Sequence, residues 1–224
     1  MVFVRSELKD QAKGFINRNY WGMVAAGLVM AFAIGSLQGN ISTYSLTSGD
    51  ASEKIRTLEV AVELVVTVGS IAVVLLIMHP LEFGGAKYFT RNIDGTAQGT
   101  LFDGFKKENF SHAISVYFYR NVMIFLYTLL LVIPGIIKMY EYYFVSFLAV
   151  DFPGKSGKEL CEMSRQMTQG SKMELFKLDL SFILWDIANA LTSGIVGVFY
   201  LYPYRFQTRA LAYRLFLDNS GFAN

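Results

Sequence analysis

Apolar residues in this chain fall into long runs rather than into short amphipathic stripes. The run from Val122 to Val150, NVMIFLYTLLLVIPGIIKMYEYYFVSFLAV read from Asn121, is broken by Pro134-Gly135 and followed by the polar stretch DFPGKSGKE. Such a run can satisfy its backbone in lipid only as helix, and a Pro-Gly pair between two halves offers a turn, so it predicts a membrane helical hairpin. The same pattern predicts spans at 20–37, 58–79, 112–133, 135–150, 173–192 and 195–216. The fourth is short for roughly 30 Å of hydrocarbon and either tilts little or enters only partly. The expected fold class is all-α, a polytopic membrane helical bundle of about six transmembrane helices with amphipathic interfacial helices.

The polar segments order these spans. Leu8, Ala12, Phe15 and Ile16 share one helical face while Arg5, Lys9, Lys13 and Arg18 lie elsewhere, which predicts an interfacial helix over 1–19 with Tyr20 and Trp21 at headgroup depth. The triplet Ala31-Phe32-Ala33 has the form of a signal-peptidase site, but the charged leader before it is too long for a signal peptide, so the first span is read as uncleaved. Residues 38–57 form the polar outer loop. LEFGGAKYFTRN after His79-Pro80 predicts a short inner-surface helix carrying Lys87 and Arg91. An amphipathic helix is expected at about 156–168, with Leu160, Met163 and Met167 on one side, and Thr192-Ser193-Gly194 separates the last two spans. Lys and Arg of the amino terminus, 87–107, 155–177 and 205–214 then fall on one side, which the positive-inside rule makes the cytoplasm, with both termini there. The chain is read as one integral membrane domain over 1–224, with the bundle at 20–216 and a short tail at 217–224.

Composition agrees with this. Of 224 residues 53% are hydrophobic and only 17% charged, against about a quarter charged in soluble domains, and the mean hydropathy is +0.37. A net charge of +2 gives no reason to expect nucleic acid. The single cysteine, Cys161, excludes an intrachain disulfide and a thiolate pair for metal, and is read as inert on a cytoplasmic helix. His79 and His112 lack neighbours at ligand spacing, so neither a metal nor another cofactor is expected.

Candidate chemistry rests on ionisable residues within the spans, which are costly in lipid and face the protein interior, water or one another. Glu59, Lys138 and Glu141 fall near the outer border, with Lys138 and Glu141 three residues apart as an ion pair. Asp179 lies near the inner border. Glu63, Arg120 and Asp186 are deeper and form the candidate intramembrane polar site: Glu63 with Arg120 as an interhelical pair, or Glu63 or Asp186 as a proton or ion site. Gly35 to Gly39 and Ala190 to Gly194 have small-residue spacing that permits close helix contact or dimerisation. The aromatic cluster Tyr117, Phe118, Tyr119, Tyr127, Tyr140, Tyr142, Tyr143 and Phe144 reads as lipid-facing or packed core, or as a groove for a lipid or hydrophobic peptide. PLEFGGAKYF at 80–89 and PYRFQTRALAY at 203–213 form a short internal echo: Pro after a span, Phe three residues on, then small and aromatic residues.

TLLLVIPGIIK, the preceding DGFK at 103–106, SRQMTQGSKMELFKLDLSFILW at 164–185, and LTSGI followed by YPY at 202–204 resemble the bacterial integral-membrane proteins of domain-of-unknown-function family 975. The likeness runs from LKDQAK to the aromatic-rich end. It implies a multi-helix protein of the bacterial inner membrane and carries no reaction or substrate. Where that family has an apolar or small residue after Phe-Ile-Leu-Trp, this chain has Asp186.

No Gly-x-Ser-x-Gly elbow, Walker loop or His-Glu-x-x-His is present. The first expectation is therefore a non-enzymatic accessory, assembly or protective, immunity-like factor that binds another membrane component. A small transporter or channel using intramembrane carboxylates is the alternative, and a lipid-modifying enzyme the weakest. The expected partners are membrane lipids, with another membrane protein or peptide, or a homo-oligomer, left open.

Overall fold

A computed structural model describes residues 5–28, 62, 64–65, 69, 72–95 and 100–222, and these form helices joined by turns, with no strand among them. The helices are α1 (Arg5–Arg18), α2 (His79–Ile93), α3 (Lys107–Leu130), α4 (Val132–Glu141), α5 (Val145–Asp151), α6 (Gly157–Met167), α7 (Lys172–Leu180), α8 (Ile183–Leu191) and α9 (Tyr202–Ser220). Residues 20–28 are also helical. The outer loop 38–57, Glu59, Glu63 and the Gly35–Gly39 spacing lie outside the described residues.

The apolar face foreseen for α1 exists, but protein covers it. Leu8, Ala12 and Ile16 are buried, and α1 packs along α9. Periodicity identifies the face that must leave water without saying whether lipid or protein receives it.

α2 and α9 share one construction. Each continues a helix that begins upstream, and each is preceded by a five-residue π turn, Val74–Met78 and Gly197–Leu201, with proline in the first turn of the α-helix itself. Pro80 and Pro203 lack an N–H and would press on the carbonyl four residues back; a π turn widens the helix there and lets it pass through proline unbroken. Phe83 and Phe206, each three residues after its proline, are buried, and α2 packs against α9. The internal echo is thus also a structural one.

α3 and α4 form the hairpin, and its turn differs in place from the expected Pro134-Gly135. α3 ends at Leu130, Leu131 is extended (φ −161°, ψ 145°), and α4 already runs from Val132. Pro134 sits in the first turn of α4, where its missing N–H would have had no helical partner, so it helps to start the helix. Gly135 lets α4 close on α3: a Cβ there would collide with the Thr128 side chain and backbone.

The expected fourth span, 135–150, is two helices. α4 ends at Glu141, and α5 follows after a turn at 142–144 with Val145 to Val150 all buried. Its apolar character serves a protein interior. The core also takes Phe83 and Phe89 from α2, Val116 and Tyr117 from α3, Leu160 from α6 and Tyr213 and Phe216 from α9. α6 begins with a reciprocal cap in which Ser156 Oγ accepts from Glu159 N–H and the Glu159 carboxylate accepts from Ser156 N–H.

Residues 173–192 likewise divide at Ser181–Phe182 into α7 and α8. Thr192-Ser193-Gly194 makes the expected turn, with Ser193 and Gly194 at positive φ (50° and 94°), so the Ala190–Gly194 spacing ends in a turn glycine. Among the described residues one helix, Lys107–Leu130, is long and apolar enough to cross a membrane.

Candidate functional site

Arg120 projects from α3 into the contact with α2 and α5, and its partner is Glu82. The guanidinium binds the carboxylate through both ends, Nη1 to Oε1 at 2.6 Å and Nη2 to Oε2 at 3.0 Å. This two-pronged geometry gives the strongest and most direction-specific of protein ion pairs. Ser146 of α5 completes it, accepting from Arg120 Nη1 at 2.8 Å and donating to Glu82 Oε1 at 2.6 Å. Arg120 Nε donates to Asn121 Oδ1 at 3.1 Å, and the guanidinium lies 4.9 Å from the centre of the Tyr117 ring.

The network also fixes a histidine. Because the Asn121 oxygen is used by Arg120, its Nδ2 faces His79 Nε2 at 3.1 Å. His79 Nε2 must then accept, which leaves the proton on Nδ1, a buried atom without a hydrogen-bond partner. Glu82, His79 and Ser146 are all buried. A buried charge pair is retained only where geometry and further hydrogen bonds offset desolvation, and here each carboxylate oxygen is occupied. The cluster clamps α2, α3 and α5.

The other expected residues have partners of their own. Glu63 lies outside the described residues, and the terminal nitrogens of Arg120, which it was expected to meet, are engaged by Glu82. Asp186 pairs with Arg205 at 2.6 Å and is 45% exposed. No ion pair joins Arg120 to Asp186. Lys138 and Glu141 form the expected pair at 2.6 Å, and the second Glu141 oxygen takes Lys172 of α7, also at 2.6 Å. That second bond sets Lys138 and Glu141 beside Lys172 of the basic segment 155–177, so an outer position for the pair and an inner one for that segment do not both hold. Asp179 accepts from Tyr143 and Arg209, both at 2.9 Å.

Outside these helices, Asp103 binds Lys87 and Lys106, each at 2.8 Å. Burial alone would raise its pKa, but the hydrogen bonds from Lys106, Lys87 and Thr100 outweigh burial and hold it well below the usual carboxylate range. Burial pushes the Cys161 thiol up to about 12, in keeping with an inert cysteine. His112 Nε2 meets the Ala149 carbonyl at 3.2 Å. No group of acidic, cysteine and histidine side chains among the described residues could hold a metal.

Glu82 escaped the sequence reading because LEFGGAKYFTRN was assigned to the membrane surface. Its signal was nonetheless present: at helical spacing Glu82 falls with His79, Phe83, Ala86, Phe89 and Thr90, the face that is buried. A carboxylate on an apolar face requires a buried cation, and Arg120 is the one that meets it.

Residues 119–220 match the model of the family described as "Protein of unknown function (DUF975)". The match supports membership of this family. The DUF975 segment includes Arg120, Lys138, Glu141 and Asp186, and leaves Glu82 outside. No curated protein and no solved structure matches the chain.

Proposed function

We propose that this DUF975 protein is a non-enzymatic integral protein of the bacterial cytoplasmic membrane, a helical bundle with both termini cytoplasmic, that binds another membrane component as an accessory, assembly or protective factor. One observation carries the reading: the buried charged groups hold helices together while a large apolar surface is left outside. Leu129, Leu130, Leu131, Val132 and Ile133 are between 65% and 76% exposed, and α8 buries none of its residues. An apolar surface of this extent belongs in lipid or against another protein. Glu82, Glu141 and Asp179 are each held by a cation and a second donor, which favours cohesion over proton or ion passage.

The test is affinity purification of the tagged protein from its native membranes in mild detergent, with mass spectrometry of proteins and retained lipids. A membrane protein or peptide in fixed stoichiometry is the expected result. Isolation with lipid alone, together with ion flux in liposomes that falls on Asp186→Asn, would replace this reading by the transporter.

A further inference from the structure

On this membrane reading, we infer that the α3–α4 hairpin and the hairpin formed by α8 and the helix after it dip into the cytoplasmic leaflet and turn back near the bilayer centre, with lipid acyl chains as the occupant of their exposed apolar faces.

The argument starts from where each arm is rooted. Glu141, at the end of α4, is bonded to Lys172 at 2.6 Å. Opposite faces of a bilayer are about 30 Å apart, so Glu141 and Lys172 share one face. Arg120, on the other arm, is held by Glu82 of α2, beside the basic segment counted as inner. From Arg120 to the turn at Leu131 is eleven residues, and from Leu131 to Glu141 ten, roughly 16 and 15 Å at 1.5 Å per residue. Both arms thus start on the inner side, and their length matches half the hydrocarbon thickness. Residues 122–137 between the roots carry no charge.

The second hairpin is rooted in the same way, with a shorter arm on the α8 side. Asp186 and Arg205 join its arms at 2.6 Å. From Asp186 to Leu191 is five residues and from Ile195 to Arg205 ten, about 8 and 15 Å, with no charge over 187–204. Lys9 of α1 donates to the Ser181 carbonyl at 3.0 Å, fixing the α7–α8 junction to the amphipathic amino-terminal helix. Trp185 packs against Tyr200 at 4.5 Å between ring centres, beside the ion pair, where aromatic side chains favour the boundary of headgroups and acyl chains.

The test uses the full chain in native membranes. Single cysteines enter by Leu131→Cys, Leu191→Cys and the exposed Lys158→Cys, each with Cys161→Ala, and meet a membrane-impermeant maleimide in spheroplasts and in inverted vesicles. Labelling should be lost from both faces at 131 and 191, while position 158 labels in inverted vesicles alone. A nitroxide at 131 or 191 should collide freely with oxygen and scarcely with a water-soluble nickel chelate. Labelling of position 131 from the outer face would mean that the hairpin crosses and overturn the inference; so would low oxygen access with spin coupling between molecules, which would mark a second copy as the occupant. Recovery of the protein in the carbonate-soluble fraction would instead remove the membrane reading itself. If a cysteine variant fails to accumulate, Trp185 in a Trp21→Phe protein decides: quenching by lipids brominated near the headgroup is expected, and stronger quenching by deeply brominated lipids would overturn the inference.

Discussion

The molecule has two ends built on opposite rules. At one, α2, α5, α6 and α9 surround a core in which Phe83, Phe89, Phe144, Leu148 and Tyr213 are sealed, and charge pairs stitch the helices together. At the other, the turn at Leu131 and all of α8 expose large apolar side chains. Apolar content alone does not separate the ends, since Val145–Val150 is apolar but for Ser146 and yet is buried throughout. They differ in what each excludes: the first hides apolar groups from water, and the second has little of the described protein over it. Three ion pairs, Arg120–Glu82, Glu141–Lys172 and Asp186–Arg205, lie at the roots of the hairpins.

The sharpest break in this contrast comes at Arg120. Arg120→Met leaves Glu82 buried without its cation, and losing one partner of a buried pair costs about 3–5 kcal/mol. Thermal unfolding in a mild detergent should fall accordingly. Glu82→Leu together with Arg120→Met should recover most of the loss, since a joint apolar replacement leaves no orphan charge; no recovery would show that the cluster does more than clamp three helices. Phe144→Ala tests the same end by volume. Its ring is fully buried against Tyr143, Tyr213 and Phe216, and the cavity should also cost about 3–5 kcal/mol in the same assay.

At the hairpin the contrast is finer, because the two arms pack on each other even where their outer faces are bare. Gly135→Ala would drive a methyl group into Thr128. Overpacking of this kind costs about 1–3 kcal/mol, and the thermal midpoint reads it. An unchanged midpoint would mean that the arms separate freely.

How much of the fold was legible in the sequence depends on which forces act locally. The apolar face of α1, most of the helix over Lys107–Leu130 (expected at 112–133) and the turn at Thr192-Ser193-Gly194 were legible because periodicity, run length and glycine are local signals. The turn at Leu131 was not, since proline serves as well to begin a helix as to end a span. The break at Ser181–Phe182 carries neither glycine nor proline, and the Ser181 hydroxyl donates to the Leu178 carbonyl, a side-chain bond that competes with the helix and that spacing does not reveal. Of the candidate site, Lys138 with Glu141 was readable as neighbours on one helix face. Glu82, Lys172 and Arg205 are partners across helices; spacing marks Glu82 as lying on an apolar face, but it pairs none of the three.

A smaller effect is expected from acid. Asp103 is held ionised by Lys87 and Lys106, and its folded pKa is depressed. Its contribution is therefore fully present above the unfolded value of about 3.9 and is lost as pH falls through the folded one. Thermal midpoints should drop below about pH 4 in the wild type, and Asp103→Asn should flatten that drop while lowering the midpoint at neutral pH.

The smallest effect is the most discriminating. Leu184 is 74% exposed on α8, so Leu184→Ala removes as much side chain as a core leucine truncation would, yet folding moves that side chain between similar surroundings. Lipid or detergent meets it in the folded protein and in the membrane-held unfolded one, and no transfer from water is lost. The midpoint in detergent should then stay within about 0.5 kcal/mol of the wild type, as for surface positions generally. A fall comparable to that of Phe144→Ala would mean that another protein chain covers α8, and the bare end of the molecule would have to be redrawn as an interface.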